Sequence, residues 1–344
     1  MNFVKRSHKK YHFHSSDHMS PTHHQLARFM QSAGLQRTRW AWRAKFSESN
    51  LNFAPDACEC LEFKHLLSQM VDMYCPTVMP ETYVINEFSW STILSDIASM
   101  YYATHQTIED HVEGLAWILK PALLNNGQHI KIFDTLSQIE EHLLRPDHLA
   151  GPHVLQRYIL DPALYDGKKY SMRFFVVITQ EAGAFLYPHG YLNVALNKYP
   201  GADFTNLSAH LTNEHLMHHM PSVVQIPTMD ITDYAAWYPQ VETIVHAVTK
   251  GLEQAFPRAY MPQKERTFAV FGFDFMLDEH QRAWLLEVNH GPCFPTDEQH
   301  PLQERLYRPF WEAVLEQFVL PITTHQPMLM DGSSGFKAMR VMNI

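Results

Sequence analysis

The chain has only four cysteines among 344 residues, too few for a disulfide-built scaffold. No apolar run approaches the roughly 18 residues that a membrane-spanning helix requires. The opening segment, MNFVKRSHKKYHFH, carries basic residues with no apolar core behind them, so it does not read as a secretory signal. A reducing, cytoplasmic setting with no membrane partner is therefore expected. Positive charge is also short: 27 Lys and Arg against 36 Asp and Glu give −9 with His neutral. General nucleic-acid binders are usually basic, so no nucleic-acid partner is expected. There is no GxxxxGK[ST] stretch, which excludes a P-loop enzyme. Internal repeats and long linkers are likewise missing.

What is present is an ordinary globular balance, 46% apolar and 18% charged, in 40.0 kDa. That mass suits two or three domains of about 100–200 residues. Histidine is frequent at 23, and six fall early: His8, His12, His14, His18, His23 and His24. No Cys or carboxylate cluster completes a metal site with them, so a frayed, solvated tail over residues 1–20 is expected. Cys58 and Cys60 form a CxC pair without a second pair, which reads as buried thiols rather than zinc ligands. Cys293 reads as a small core residue. His215 and His219 would lie one helical turn apart, with His218 beside them, and a polar loop is favoured over a metal pair. Trp237, Tyr238, Phe310 and Trp311 read as packing residues.

Periodicity and punctuation place the elements. Ser20-Pro21 predicts a helix start, with Gly34 as its stop. A helix follows over 63–74, a strand over 82–85 and a helix over 91–102, so residues 21–110 read as α/β. Leu115–Lys120 reads as a buried strand stopped by Pro121. Asn125-Asn126-Gly127 is a turn, and His129–Phe133 a returning strand. A helix over 137–144 precedes strands over 153–159, 170–179 and 184–191. The last third predicts a helix over 233–256, a hairpin over 267–289 and a helix over 301–318. Residues 111–322 thus read as an antiparallel sheet with helices on one face, followed by a tail over 323–344.

The hairpin is the most informative segment. It reads FGFDFML over 271–277, then DEHQ, then RAWLLEVN over 282–289. Pairing Leu277 with Arg282 puts Asp274, Glu287 and Asn289 on one face, and Phe273, Phe275, Leu286 and Val288 on the other. A bulge would change this register. Two carboxylates and an amide oxygen suit Mg²⁺, which keeps waters and binds substrate phosphates. The alternative is a solvated polar face, against which the flanking aromatics argue. Upstream, Lys120 ends its strand, while Lys169, Ser171 and Arg173 alternate onto one strand face. Cations near an Mg²⁺ cluster are what a transferring phosphoryl group needs. A two-metal nuclease or phosphatase would need more carboxylates and has no use for these lysine strands.

In order along the chain, these pieces resemble the tubulin–tyrosine ligase-like family, which has the ATP-grasp fold. The stretches that carry the resemblance are MPETYV at 79–84, WILKP at 117–121, VLQRYI at 154–159, DPALYDGKKYSMR at 161–173, HLTN at 210–213, and FGFDFMLD with WLLEVN. They run from about Phe63 to Phe294. The resemblance implies an α+β ATP-grasp fold of antiparallel sheets with packed helices, plus a small N-terminal α/β domain. It implies ATP and Mg²⁺ as cofactors. Lys120 and Lys169 would hold ATP phosphates, Gln156 would hydrogen-bond the adenine, and the backbone of Arg157, Tyr158 and Ile159 would line its edge. Asp274, Glu287 and Asn289 would bind Mg²⁺. Lys169, Arg173 and Asn213 would be the catalytic residues, the last two near the γ-phosphate and acceptor. The implied activity is an ADP-forming acid–amino-acid ligase that joins a free amino acid to a protein or peptide through an acyl phosphate.

Three departures lie on the substrate side. Ser171 stands where the family has an acid, and Asn193 where it has an arginine. The phosphate-covering loop, 125–129, has one glycine. An inactive ATP-binding adaptor and a small-molecule ligase are the alternatives, but three retained metal positions favour a working ligase. A net charge of −9 offers no global attraction for an acidic tail, so without a local basic patch tubulin is the less favoured acceptor.

Overall fold

A computed structural model of the chain describes residues 11–16, 20–105, 115–125, 127–204, 206–213, 223–261, 263–328 and 335–339. His8, His18, Asn126, His215, His218 and His219 lie outside the described residues.

Residues 11–51 form a small parallel sheet around one helix. β1 (His12–His14) is flanked by β2 (Gln36–Arg37) and β3 (Phe46–Ser47), with α1 (Pro21–Ser32) between β1 and β2 in sequence. His12 and His14, expected in a frayed tail, are therefore strand residues, and a His14 ring nitrogen lies 3.0 Å from the Thr38 carbonyl. Ser20 caps α1 by accepting from the His23 N–H, as the Ser-Pro start requires.

Next come α2 (Pro55–Glu62), which the sequence reading missed, and α3 (Lys64–Tyr74). β4 (Thr82–Ile85) and α4 (Trp90–His105) follow. β5 (Trp117–Pro121), β6 (Lys131–Phe133), α5 (Leu136–Leu144) and β7 (His153–Arg157) complete this part. The four strands form one antiparallel sheet in the order β4-β7-β5-β6. β4, upstream of residue 110, thus shares its sheet with strands downstream of it. One face packs on α4 and α5 through Trp117, Leu119, Leu155 and Ile139, all buried. Alternation turns Ile118, Lys120 and Gln156 the other way.

The larger sheet contains β8 (Leu164–Tyr165), β9 (Lys168–Thr179), β10 (Gly183–Ala195), β11 (Val223–Pro227), β12 (Phe268–Leu277), β13 (Ala283–His290) and β14 (Lys337–Ala338). A single helical turn, α6 (Leu207–His210), and the long α7 (Tyr234–Ala255) lie between its strands in sequence. Its main path runs β11-β10-β9-β12-β13, antiparallel throughout. α8 (Arg308–Val314) and α9 (Leu320–Thr324) alternate with π-helical turns over 303–307 and 315–319, forming an almost continuous helical segment. β14, within the stretch expected as a tail, pairs with β10.

The expectation of helices on one face is corrected. On β9, Met172, Phe174, Val176 and Ile178 pack against α3 and α7. Phe175 and Val177, on the opposite face, pack on Phe310 and on Phe29 of α1 within a second core. Buried residues therefore run almost unbroken along β9 and β12. The second face is apolar only over part of its length. Lys169, Ser171 and Arg173 continue the Phe175–Val177 face, and Gly272 and Asp274 continue that of Phe268 and Val270. The helices stop covering the sheet there, and the polar remainder faces the β4–β7 sheet across a cleft.

Gly190 sits where the β9–β10 register shifts, opposite Phe174. A Cβ there would lie 2.0 Å from the Arg173 carbonyl oxygen, a backbone atom that cannot swing aside. Gly190→Ala is expected to destabilise the protein by about 3 kcal/mol, read from chemical denaturation. A loss below about 0.5 kcal/mol would overturn this account of the β9–β10 crossing.

Candidate active site

The cleft between the two sheets has a volume of about 660 Å³, within the range of small-molecule sites. Every residue that the sequence reading assigned to catalysis, cofactor or metal lines it: Lys120, Gln156, Arg157, Tyr158, Ile159, Lys169, Arg173, Asn213, Asp274, Glu287 and Asn289.

The carboxylates come from the hairpin, with a register different from the expected one. Leu277 faces Ala283 and Phe275 faces Leu285, but Asp274 faces Glu287 and Gly272 faces Asn289. The extra residue is Leu286, a β-bulge. Leu285 consequently enters the core, and Leu286, expected there, lines the cleft with Glu287. Asp274, Glu287 and Asn289 still share a face, now with the two acids directly opposed.

Arg173 faces Asp274 across the β9–β12 ladder and grips it with two bonds, Nε to Oδ1 at 2.7 Å and Nη2 to Oδ2 at 2.5 Å. Asn289 Nδ2 also donates to Asp274 Oδ2 at 3.0 Å. Gly272 makes room for this grip: a Cβ there would sit 3.1 Å from Arg173 Cδ and 3.2 Å from its Nε. Burial, joined by Glu287, pushes the Asp274 carboxyl up to about 6 against the pull of Arg173. Burial also works against the Glu287 charge, but Lys64, Lys120 and Arg173 outweigh it and hold that carboxyl below its usual range. Lys64, the first residue of α3, lies 3.7 Å from Glu287 and donates to the Leu124 carbonyl at 2.8 Å.

The lysines are held by neutral groups. Lys120 Nζ donates to Gln156 Oε1 at 2.8 Å, and Gln156 Nε2 donates to Thr82 Oγ1 at 2.9 Å. Burial lowers Lys120 to about 8, with Glu287 opposing the shift. Lys169 Nζ donates to the Tyr158 hydroxyl at 2.6 Å and lies 3.9 Å from that ring's centre. Among the described residues no carboxylate pairs with it, and burial together with Lys120 pushes it well below the usual lysine range. The Tyr158 hydroxyl is 2.8 Å from His210 Nδ1, and His210 Nε2 is 2.7 Å from the Asp203 carbonyl. A carbonyl only accepts, so Nε2 carries the proton and Nδ1 accepts from Tyr158. Burial favours this neutral ring by lowering the His210 pKa. Lys64, the Tyr158 side chain, His210 and Gly272 were not singled out from the sequence. A strand glycine two residues before an acid is a readable sign of close approach, whereas Lys64 offered none.

On the remaining wall, Ser171 Oγ accepts from Thr212 Oγ1 at 2.8 Å and Asn193 Oδ1 accepts from Gln225 Nε2 at 3.1 Å. Both substituted positions are buried and neutral. Cys58 and Cys60 are buried free thiols, which burial pushes up to about 12 and about 11. Cys293, expected in the core, is instead exposed on the cleft wall.

A buried lysine costs stability while charged. The Lys120 penalty is therefore full below about pH 8 and relieved as pH rises to 10.5. Comparing wild type with Lys120→Met by denaturation, the stability difference is expected to move by about 3 kcal/mol in favour of wild type across that window. A parallel pair of curves would show that Lys120 titrates normally.

A profile of the Tubulin-tyrosine ligase family matches residues 60–328. The chain is 24% identical over 213 residues to protein polyglycylase TTLL10 of Macaca fascicularis, covering 53% of this chain and 34% of that protein. It is 31% identical over 210 residues to tubulin polyglutamylase TTLL13 of Mus musculus, covering 53% and 25%. Tubulin glycylase 3C of Tetrahymena thermophila is 23% identical over 227 residues, covering 61% and 20%. The chain thus spans about a third or less of the length of these three relatives. With well over half of its residues matched, it belongs to the tubulin–tyrosine ligase family.

Proposed function

We propose that the protein is an ATP-dependent, ADP-forming ligase that joins an amino acid to a protein or peptide, on an ATP-grasp fold. The observation that carries this reading is that Lys120, Lys169 and Arg173 line one cleft with the opposed pair Asp274–Glu287. Lys169 is a buried amine with no protein counter-ion among the described residues, and burial resists its charge, which suits a polyphosphate substrate that would restore it. Among those residues no three His, Cys, Asp or Glu side chains are arranged to hold a metal ion. A divalent cation would therefore complete its shell with phosphate oxygens and water, the usual habit of Mg²⁺. Asp274, Glu287 and Asn289 would hold it, and it would neutralise charge on the phosphoryl group in transit.

The other residues supply position and charge. Lys120 and Lys169 hold phosphates, fixed through Gln156 and through the Tyr158–His210 relay. The Arg157 N–H donates to Glu81 and the Tyr158 N–H to Ala116. Among the described residues no protein group takes the Ile159 N–H, which leaves it for the adenine edge. The substrate carboxylate takes the γ-phosphoryl group, giving an acyl phosphate and ADP. The acceptor amine then displaces phosphate and forms the amide. Arg173 and Asn213 face this reaction from the sheet and the 206–213 segment.

The names of the relatives support addition of amino acids to proteins, with tubulin as the acceptor of several. Neutral Ser171 and Asn193 favour a substrate other than the one those charges would recognise. Among the described residues no helix is long and apolar enough to cross a membrane. Free thiols at Cys58, Cys60, Cys75 and Cys293 suit a reducing, cytoplasmic setting.

With Mg-ATP, labelled amino acids and cell extract, the protein is expected to place label in a protein band. Glu287→Gln should lower transfer at least about 100-fold. ATP binding without transfer or ADP release would favour an adaptor, and ADP release with small acceptors alone a small-molecule ligase.

A further inference from the structure

The loop joining β2 to β3 reads Thr38-Arg39-Trp40-Ala41-Trp42-Arg43-Ala44-Lys45. Its two tryptophans are 60% and 79% exposed, although large aromatics normally dominate cores and interfaces. The loop is nevertheless fixed at both ends. The Thr38 N–H donates to the Phe13 carbonyl, and the Lys45 N–H to the His12 carbonyl, so both ends are tied to β1. Phe13 of β1 and Phe46, just after the loop, take the core positions. A short 3₁₀ turn over Ala41–Arg43 then holds Trp40 and Trp42 outward. Together they expose roughly 300 Å², comparable to the largest apolar patch of a typical monomer, which is often functional.

The segment that carries the patch has charge of one sign. From His18 to Ser47 there is no Asp or Glu, in a chain whose net charge is −9. Arg39, Arg43 and Lys45 are exposed, and among the described residues no carboxylate pairs with them. The Arg43 guanidinium lies 5.7 Å from the Trp42 ring centre, so cation and aromatic form one surface. Exposed Trp beside Arg is the composition of interface hot spots.

We infer that Trp40, Trp42, Arg39, Arg43 and Lys45 form a docking surface for an acidic polypeptide, the acceptor of the reaction. This rests on the ligase reading above. Pro21, the first residue of α1, lies on the cleft wall, and the same helix leads at its other end into β2 and this loop. The patch supplies the local attraction for an acidic segment that the −9 chain lacks overall. The surface lies outside the 60–328 family match.

The test uses the full chain and a fluorescent Glu/Gly peptide of about twelve residues, with a Gln/Gly peptide as control. The glutamate peptide should bind at least about tenfold tighter than the control, quench tryptophan fluorescence, and weaken as salt rises to about 0.5 M. Arg39→Glu/Arg43→Glu should cost at least about tenfold in peptide affinity while leaving Mg-ATP binding and the melting temperature unchanged. Trp42→Ala should weaken peptide binding without altering either. Equal affinity for the two peptides, or no effect of the double variant, would overturn the proposal. So would tighter binding to oligouridylate or to phosphatidylserine vesicles, which would reassign the surface to nucleic acid or membrane. Peptide binding without label transfer would defeat the ligase reading alone, and transfer without peptide binding would defeat the docking surface alone.

Discussion

Arg173 reaches from β9 across the bare backbone of Gly272 to grip Asp274 on β12, and the arrangement of the cleft depends on that contact. It sits where the second sheet face changes from apolar to polar. On one side Phe175 and Val177 pack under helices, and on the other Ser171 and Lys169 face the opposite sheet. A carboxylate buried there unpaired would cost several kcal/mol. With Arg173 in place, Asp274 is held directly opposite Glu287, and Lys64 and Lys120 balance the second acid. The sheet can thus carry charge at the end of a hydrophobic core.

The two cleft lysines are positioned by neutral side chains. Gln156 holds Lys120, and Tyr158, oriented by neutral His210, holds Lys169. A carboxylate in either place would satisfy the lysine and leave little attraction for an anionic substrate. A neutral acceptor fixes the position of the amine without supplying a counter-charge.

Local features were readable because local chemistry dictates them. The Ser20-Pro21 start, the strand over 82–85 and the alternation of Asp274, Glu287 and Asn289 emerge from a few adjacent residues. The Leu286 bulge was not readable, since one inserted residue leaves the alternation of Glu287 and Asn289 unchanged while moving Leu285 and Leu286 between faces. Helices on the second sheet face were missed because α1 and α8 are nearly the whole chain apart and meet only in three dimensions. The side-chain role of Tyr158 was hidden behind the backbone role that the resemblance suggested. His210, within the quoted HLTN stretch, was the available pointer to it.

That second core also affects how the chain is made. Phe13, Leu26 and Phe29 find their partners in Phe310, Trp311 and Phe318, so the first fifty residues emerge from the ribosome long before the surface they cover exists. At typical rates of synthesis the wait is roughly tens of seconds. Throughout it the apolar side of α1 faces solvent, and closing so long a loop is an inherently slow, non-local event. The apolar side of α1 is therefore among the last surfaces of the protein to be covered, once translation has delivered the C-terminal helices.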